Sequence, residues 1–172
     1  MNSIIVKTVR TPLGEIILGD YGGRLCLLDW KYRKMRGRID SRLASCLRAS
    51  FREGGSDLFE RTECQLEEYF GGLRENFDIP LLMAGTPFQK EVWEALRAIP
   101  YGKTESYGAL ACRLGREKAV RAVASANGAN AISIIIPCHR IISSDGSLGG
   151  YAGGLPAKRK LLELESQMYL DF

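Results

Sequence analysis

The sequence predicts a mixed α/β (α+β) fold in two parts: a small N-terminal domain with an antiparallel β-sheet plus helices, and a mostly helical C-terminal domain. Three observations support this prediction. The first 30 residues alternate short β-branched stretches with glycine-containing turns, and the second half opens with a well-capped helix. Two short helical stretches joined by a glycine then predict a helix-turn-helix. A chain of 172 residues has room for one domain or two small ones, here meeting near residues 82–85.

The composition is that of an ordinary folded protein. Apolar residues make up 45% of the chain and charged residues 26%, which excludes extended disorder. No apolar run approaches the roughly 18 residues of a membrane helix, and the N-terminus turns polar after Val6, unlike a signal peptide. We therefore expect no membrane association and a cytoplasmic location, or a nuclear one in a eukaryote. The net charge of +4 permits nucleic-acid binding without requiring it.

The cysteine and histidine content limits the metal and disulfide chemistry. The five cysteines are odd in number and no two form a Cys-x-x-Cys pair, so a disulfide framework is not expected. With His139 as the sole histidine, four zinc ligands are hard to assemble. We expect no metal and no cofactor.

The N-terminal half predicts three strands followed by two helices. Turn residues at 11–14 and 20–23 separate the strands, and Gly71-Gly72 stops the second helix. The predicted strands are Ile4–Val9, Glu15–Gly19 and Leu25–Trp30, and the predicted helices are Ile39–Phe51 and Asp57–Phe70. Between them lies KYRKMRGR, with five basic residues from Lys31 to Arg38. This run is either a solvated loop or an outlying contact for phosphate or a partner.

The C-terminal half begins with a clear helix start. Thr86 can cap the helix, Pro87 suits its first turn, and Gln89 completes a capping box. Helices over Glu105–Leu114 and Glu117–Asn127 follow, joined at Gly115-Arg116. The second is crowded with small residues around one arginine, which suits either tight internal packing or close approach to a nucleic acid.

The most informative segment is IIIPCHR, residues 134–140. The three isoleucines predict a buried strand, and Pro137 ends its pairing and places Cys138 at its end. An ordinary thiol has a pKa near 8.5, so an imidazole or a helix N-terminus is needed to raise the thiolate fraction at neutral pH. In an extended chain, neighbouring side chains point to opposite faces, so Cys138 and His139 would communicate through a bridging water.

The sequence around this segment closely resembles one family. The stretches TPFQKEVWEALRAIPYGKTESYGALA and ANGANAISIIIPCHRIISSDGSLGGYAGGLPAKRKLLELE are similar to the O6-alkylguanine-DNA alkyltransferases, also called methylated-DNA–protein-cysteine methyltransferases. The resemblance covers about residues 86–165. TPLGEIILG looks like the family's N-terminal sheet, and residues 31–80 match loosely. The resemblance implies an RNase H-like α/β domain over residues 1–81. It also implies a DNA-binding and alkyltransferase domain, with an active-site cysteine loop, over residues 86–172.

The resemblance also implies an activity. It implies DNA repair by direct reversal: irreversible, stoichiometric transfer of an alkyl group from O6-alkylguanine, and from O4-alkylthymine, to Cys138 after base flipping. The partner is double-stranded DNA, bound through the minor groove by a monomer. Some family members bind zinc through N-terminal cysteine and histidine residues, and this chain lacks those histidines.

Site residues are carried over by position. Cys138 matches the alkyl acceptor, His139 its partner, and Glu165 the glutamate that orients the histidine. Asn130 matches the residue that ties the cysteine loop to the DNA-binding helix, and Tyr107 one that rotates a phosphate and contacts the guanine. Arg121 matches the arginine that enters the duplex. The remaining matches are Ala119, Ala122 and Ser125 for DNA contact, and Tyr151, Ala152, Gly153, Ile141 and Lys158 for the base pocket.

Three alternatives remain open at this stage. A lesion sensor would bind without repairing, although such proteins lack the acceptor cysteine. A cysteine hydrolase would turn over a small ester through Cys138 and His139. A non-catalytic DNA-binding module would use neither. The sequence does not determine the preferred alkyl group or the preference between guanine and thymine lesions.

Overall fold

The structure, a computed structural model, describes residues 2–167. The chain divides into two compact units, Met1–Gly85 and Thr86–Phe172. The predicted α/β class is confirmed: within residues 2–167, the first unit holds a four-stranded sheet with two α-helices, and the second holds four α-helices and a two-stranded sheet. The RNase H-like assignment of residues 1–81 stays a prediction.

The sheet of the first unit is mostly antiparallel. Strands β1 (Ser3–Thr11), β2 (Gly14–Tyr21) and β3 (Arg24–Trp30) form an antiparallel meander, as predicted. A short fourth strand, β4 (Ser50–Glu53), pairs parallel with the first part of β1, so the order is β3-β2-β1-β4. The sheet is therefore mixed at one edge.

Two helices complete the first unit. Helix α1 spans Arg36–Leu47, so the predicted helix over Ile39–Phe51 is wrong at its end, where the chain turns into β4. Helix α2 spans Asp57–Phe70, as predicted, with the Ser56 side chain accepting a hydrogen bond from the Phe59 amide. The core includes Ile4, Ile16, Leu18, Leu28, Leu43, Phe59 and Tyr69, all fully or almost fully buried.

Most of the basic run is neutralised within the first unit. Arg33 and Arg36 each donate to the buried carboxylate of Asp29 at 2.9 Å. Lys31 donates to Glu15 at 2.9 Å. Three of the five basic side chains thus have ion-pair partners, which argues against the whole run acting as a phosphate-binding patch.

The second unit consists mainly of helices. They are α3 (Pro87–Arg97), α4 (Tyr107–Arg113), α5 (Val120–Gly128) and α6 (Leu155–Gln167), with parallel strands β5 (Glu105–Ser106) and β6 (Ile141–Ile142). The predicted capping box is present, since Thr86 and Gln89 each bond the other's backbone amide. The indole of Trp93 donates to the carbonyl of Ala126 at 2.8 Å and joins α3 to α5.

The connection between α4 and α5 explains the glycine at position 115. Gly115 has φ +69, and Arg116 donates back to the carbonyl of Ala111 at 2.8 Å. This is a Schellman ending, which favours glycine at the left-handed position. A 3₁₀ turn at Glu117–Ala119 then leads into α5, so both predicted helices begin two or three residues late.

The predicted strand over residues 134–136 is wrong. These residues form buried turns, and Ile134 has φ +70. The Ile135 amide donates to the carbonyl of Ser133 at 2.8 Å, which closes a γ-turn around Ile134. A positive φ is rare for a β-branched residue, so apolar content alone could not reveal this conformation. Within residues 2–167, no helix is long and apolar enough to cross a membrane.

Candidate active site

Cys138 is held by two successive turns. Pro137 has φ −81 and ψ 63, and the Cys138 amide donates across it to the carbonyl of Ile136 at 2.8 Å, which forms an inverse γ-turn. Cys138 then begins a 3₁₀ turn over Cys138–Arg140. Cys138 is 5% exposed, so the thiol is almost completely buried.

The relation between Cys138 and His139 differs from the expected one. The prediction assumed an extended chain with side chains on opposite faces. In a 3₁₀ turn, consecutive side chains point about 120° apart. The two side chains therefore diverge less than a strand would require, and both lie in the interior of the second unit.

His139 and Glu165 form a buried pair. The Nε2 atom of His139 lies 2.7 Å from Oε1 of Glu165, and the two residues are 0% and 1% exposed. The 3₁₀ turn places the imidazole, and α6 brings the carboxylate to it from 26 positions later in the chain. The structure thus brings these two predicted residues together.

Arg140 is a site residue that sequence reasoning missed. Its guanidinium donates to both carboxylate oxygens of Glu165, at 3.0 and 2.9 Å, and to the carbonyl of Ile99 at 2.7 Å. It also lies 5.7 Å from the ring centre of Tyr101. A bidentate guanidinium fixes the plane of a carboxylate. The signal in the sequence was a charged residue next to the apolar IIIPC segment.

The charges assign the histidine tautomer. Burial would raise the pKa of Glu165, but the hydrogen bonds from His139 and Arg140 bring it down to about 2. An ionised carboxylate only accepts hydrogen bonds, so Nε2 of His139 carries the hydrogen and Nδ1 the lone pair. Burial lowers the pKa of His139; the bond to Glu165 opposes that shift, and the positive charge of Arg140 adds to it. Nδ1 is buried and bonded to no described residue, so a neutral imidazole offers it as a base.

Asn130 ties the end of α5 to the turns before the cysteine. Its amide nitrogen donates to the carbonyl of Ile136 at 2.9 Å, and its oxygen accepts from the Ile132 amide at 3.0 Å. The side chain is 2% exposed. Asn130 therefore clamps both sides of the turn at Ile134, and a displacement of α5 would reach Cys138 through it.

Lys158 anchors the loop that follows the cysteine. Its fully buried ammonium donates to the carbonyls of Ile141 at 2.6 Å, Leu148, and Gly150 at 3.2 Å. Burial lowers the pKa of Lys158, and negative charge on Cys138 opposes that shift. A positive charge near a cysteine favours the thiolate form.

The other predicted pocket residues surround the same loop. Tyr151 lies edge-on to His139, with ring centres 6.4 Å apart. Ala152 and Gly153 are half-buried next to it. Burial raises the pKa of Tyr107, and negative charge on Cys138 raises it further, which keeps the hydroxyl protonated.

Gly149 is a second residue that sequence reasoning missed. It has φ +70, and a β-carbon there would lie 3.2 Å from Ser143 Oγ and 3.4 Å from the Tyr107 ring. The loop therefore approaches Tyr107 closely only because this residue has no side chain. The run of glycines in SLGGYAGG did not show which of them makes this contact.

Four of the predicted DNA-contact residues lie on α5 or on the 3₁₀ turn before it. Arg121, Ala122 and Ser125 are exposed and Ala119 is half-buried, while Val123, Ala126 and Asn127 face the interior. Two nearby arginines are engaged elsewhere: Arg113 pairs with Glu105 and Arg116 with Glu91, both at 3.0 Å. No described residue pairs with Arg121 or Lys118, so these two cations face outward from the helix-turn-helix.

Comparison with known proteins identifies the family. Residues 87–167 match the family model described as 6-O-methylguanine DNA methyltransferase, DNA binding domain. Relatives named methylated-DNA–protein-cysteine methyltransferase include one from Methanosarcina barkeri, 45% identical over 91% of this chain and 94% of its own. Another, from Salmonella typhimurium, is 40% identical over 99% and 100%.

Solved structures agree with these relatives. The structure of Mycobacterium tuberculosis OGT in complex with DNA has a TM-score of 0.80 at 39% identity and covers 96% of this chain and 94% of that one. The O6-methylguanine-DNA methyltransferase of Pyrococcus kodakaraensis has a TM-score of 0.69 at 25% identity, with coverage of 94% and 98%. The chain therefore belongs to the methylated-DNA–protein-cysteine methyltransferase family.

Proposed function

We propose that this protein repairs DNA by moving the alkyl group of O6-alkylguanine onto its own Cys138. The observation that carries the proposal is the buried His139–Glu165 pair, 2.7 Å apart, on the turn that begins with Cys138. This arrangement supplies a base and its orienting carboxylate next to a nucleophile. The family's activity gives that nucleophile its substrate.

The proposed reaction follows from the charges. The proton of the Cys138 thiol passes through a bridging water to Nδ1 of His139, while Glu165 stabilises the imidazolium that forms. The thiolate attacks the alkyl carbon, a sulfur–carbon bond forms, and the carbon–oxygen bond to guanine breaks. The electron pair stays on guanine, which takes up one proton while His139 gives up the one it received, so guanine is restored as the neutral base within the DNA and the imidazole returns to its neutral form. The thioether is not hydrolysed by water, so each molecule acts once.

DNA binding is assigned to the exposed side of α5. Slim side chains at Ala119, Ala122 and Ser125 allow close approach to a groove, and Arg121 can enter the stack when the damaged base leaves it. Base flipping costs a few kcal/mol, least for damaged bases. We assign α5 to the minor groove and Tyr151, Ala152, Gly153, Ile141 and Lys158 to the pocket of the flipped base.

Several finer features belong to the same proposal. O4-alkylthymine is a second substrate, the protein acts as a monomer without metal or cofactor, and it acts in the cytoplasm, or in the nucleus of a eukaryote. Residues 1–81 form an RNase H-like domain, and residues 86–172 carry DNA binding and transfer. The family resemblance supports these features.

The test is one stoichiometric reaction. The protein is mixed with an equimolar duplex that contains a single O6-methylguanine, and the methyl group is located by peptide mass spectrometry. We expect one methyl group on Cys138 and no reaction beyond one equivalent. Cys138→Ala removes the acceptor, and Cys112→Ala is the matched control because Cys112 is exposed on α4.

Other outcomes separate the alternatives. Tight lesion binding without transfer, unchanged by reductant, would indicate a sensor. Methyl transfer at several cysteines would indicate non-specific reactivity. Turnover of a small ester, lost in Cys138→Ala, would indicate a hydrolase.

A further inference from the structure

A groove in the first unit lies far along the chain from the cysteine loop. It has a volume of about 590 Å³ and runs between residues 7–12, which include the end of β1, and residues 63–71, which include the last turns of α2. Its floor is apolar, formed by Val9, Leu66 and Phe70. We call it the β1 edge groove.

One wall of the β1 edge groove is an open strand edge. Strand β4 pairs with β1 only from Ser3 to Val6, and the last bond on this edge joins the Gly54 amide to the carbonyl of Val6 at 3.1 Å. Peptide groups alternate between the two edges of a strand. In the even-numbered residues of β1, the backbone amide and carbonyl groups point to the edge on which β4 pairs. Those of Thr8 and Arg10 lie past the end of β4. They therefore point into the groove and have no hydrogen-bond partner among the described residues.

These features specify an extended polypeptide. An open edge with an apolar floor binds a peptide that adds one strand, because main-chain bonds satisfy the edge and alternate side chains enter the groove. The open segment Lys7–Thr11 is about 17 Å long, enough for a five-residue strand.

The charges specify which side of the peptide carries acid. Val9 faces α2 with Lys7, whose ammonium donates to Glu63 at 2.6 Å. Arg10 lies on the opposite face of β1, exposed and without an acidic partner among residues 2–167. A cross-strand neighbour on that face stabilises the pair if it is a carboxylate.

The same charges disfavour two other occupants. A second copy pairing antiparallel over the same five residues would place the two Arg10 side chains on one face, within diagonal reach of each other, and like charges across strands are destabilising. A DNA phosphate would meet the carboxylates of Glu63 and Glu67 on the α2 wall.

We propose that the β1 edge groove binds an extended segment of another protein as a fifth strand, with apolar side chains towards α2 and a carboxylate beside Arg10. This inference is independent of the alkyl-transfer proposal.

The test uses the full chain and a labelled heptapeptide that alternates aspartate and valine. We expect saturable binding by fluorescence anisotropy, together with slowed hydrogen exchange at the amides of Thr8 and Arg10. A peptide with N-methyl groups at alternate positions keeps the side chains but blocks one backbone edge, and it should not bind.

Two variants probe the two recognition elements. Arg10→Glu should weaken peptide binding about tenfold, because it replaces an attraction between Arg10 and the peptide carboxylate with a repulsion. Thr8→Pro removes one edge donor and should weaken binding about fivefold, while proline is tolerated at an open edge. Arg38→Glu is the matched control, because Arg38 is an exposed arginine on α1, away from the groove.

Three results would overturn the proposal. The first is no saturable binding, or equal binding of a lysine–valine peptide. The second is binding insensitive to Thr8→Pro. The third is protection of the Thr8 amide by undamaged duplex DNA, or by self-association at high concentration, in place of the peptide.

Discussion

At the residue scale, the carboxylate of Glu165 is held by three hydrogen bonds. It accepts one bond from His139 and two from Arg140, all within 3.0 Å and away from water. The guanidinium neutralises the carboxylate permanently, so the histidine can remain uncharged next to it. Glu165 therefore orients the imidazole without forcing a proton onto it.

Replacing this carboxylate tests that role. Glu165→Gln keeps the shape but removes the charge that stabilises an imidazolium, so we expect the single-turnover rate of methyl transfer to fall by at least about tenfold, or roughly 1.4 kcal/mol of barrier. Glu163→Gln, exposed on the same helix, is the control. An unchanged rate in Glu165→Gln would remove Glu165 from the mechanism.

Acid should destabilise the fold in two steps. The folded pKa of His139 lies below its ordinary 6.5, so the unfolded chain takes up a proton first and the free energy of unfolding decreases as pH falls below about 6.5. The pKa of Glu165 is about 2 in the folded protein against an ordinary 4.5. As pH falls from 4.5 towards 2, protonation of this carboxylate therefore lowers the free energy of unfolding by roughly a further 3 kcal/mol. Because His139 is the sole histidine, urea unfolding between pH 7 and 5.5 isolates the first step. A flat profile there would contradict the buried neutral imidazole.

Lys158 should stabilise the loop after the cysteine mainly through its three hydrogen bonds to backbone carbonyls. Lys158→Met keeps the buried stem but leaves three carbonyls without their donor, so we expect a loss of about 2 kcal/mol or more in unfolding free energy and slower transfer. Lys160→Met, exposed two residues later, should change neither quantity. Denaturant unfolding and single-turnover assays measure both effects.

At the element scale, the arginines in and near α5 are of two kinds: Arg113 and Arg116 form ion pairs within the fold, whereas Arg121 faces outward. Arg121→Ala should weaken duplex binding and reduce the slope of log affinity against log salt concentration by about 1. Arg113→Ala should leave the slope nearly unchanged, because its guanidinium is held by Glu105 and by the carbonyl of Ala95. Equal slopes in the two variants would argue against α5 as the DNA-contacting helix.

The elements also show what the sequence could reveal. Helices α2 and α3 were predictable because a capping residue, helical periodicity and a stop signal agree within each segment. Strand β4 was not, because its side chains are all exposed and its single parallel pairing is long-range. The turn at Ile134 was not either, because its positive φ depends on the surrounding clamp and contradicts the local preference of isoleucine.

The residues of the candidate site differ in how far the sequence alone identifies them. Cys138 and His139 stand out as the one adjacent pair of their kind in the chain. Glu165 was found through the family resemblance, because nothing local links a helical glutamate to a histidine 26 residues earlier. Arg140 was overlooked because its partners come from α6 and from Ile99, two residues after α3, which only the folded chain brings together.

At the scale of the whole molecule, the reaction should change stability. Cys138 is 5% exposed and its turn is clamped from two sides, so an added methyl group should overpack the site by about 1–3 kcal/mol. For a protein of this size, we expect Tm to fall by several degrees after stoichiometric methylation. Calorimetry before and after reaction measures the change, and Cys138→Ala treated identically is the control. An unchanged Tm would show that the site accommodates the product without strain.

The burial of Cys138 also affects how long its thiol stays unreacted before alkyl transfer. Three other thiols, those of Cys46, Cys64 and Cys112, are exposed, whereas Cys138 lies beneath the surface. A protein consumed by one event has no means of recovery from a mistaken one. Burial slows contact of oxidants and diffusing electrophiles with Cys138, so under the proposed function its sulfur is kept for the alkyl group that a flipped base delivers.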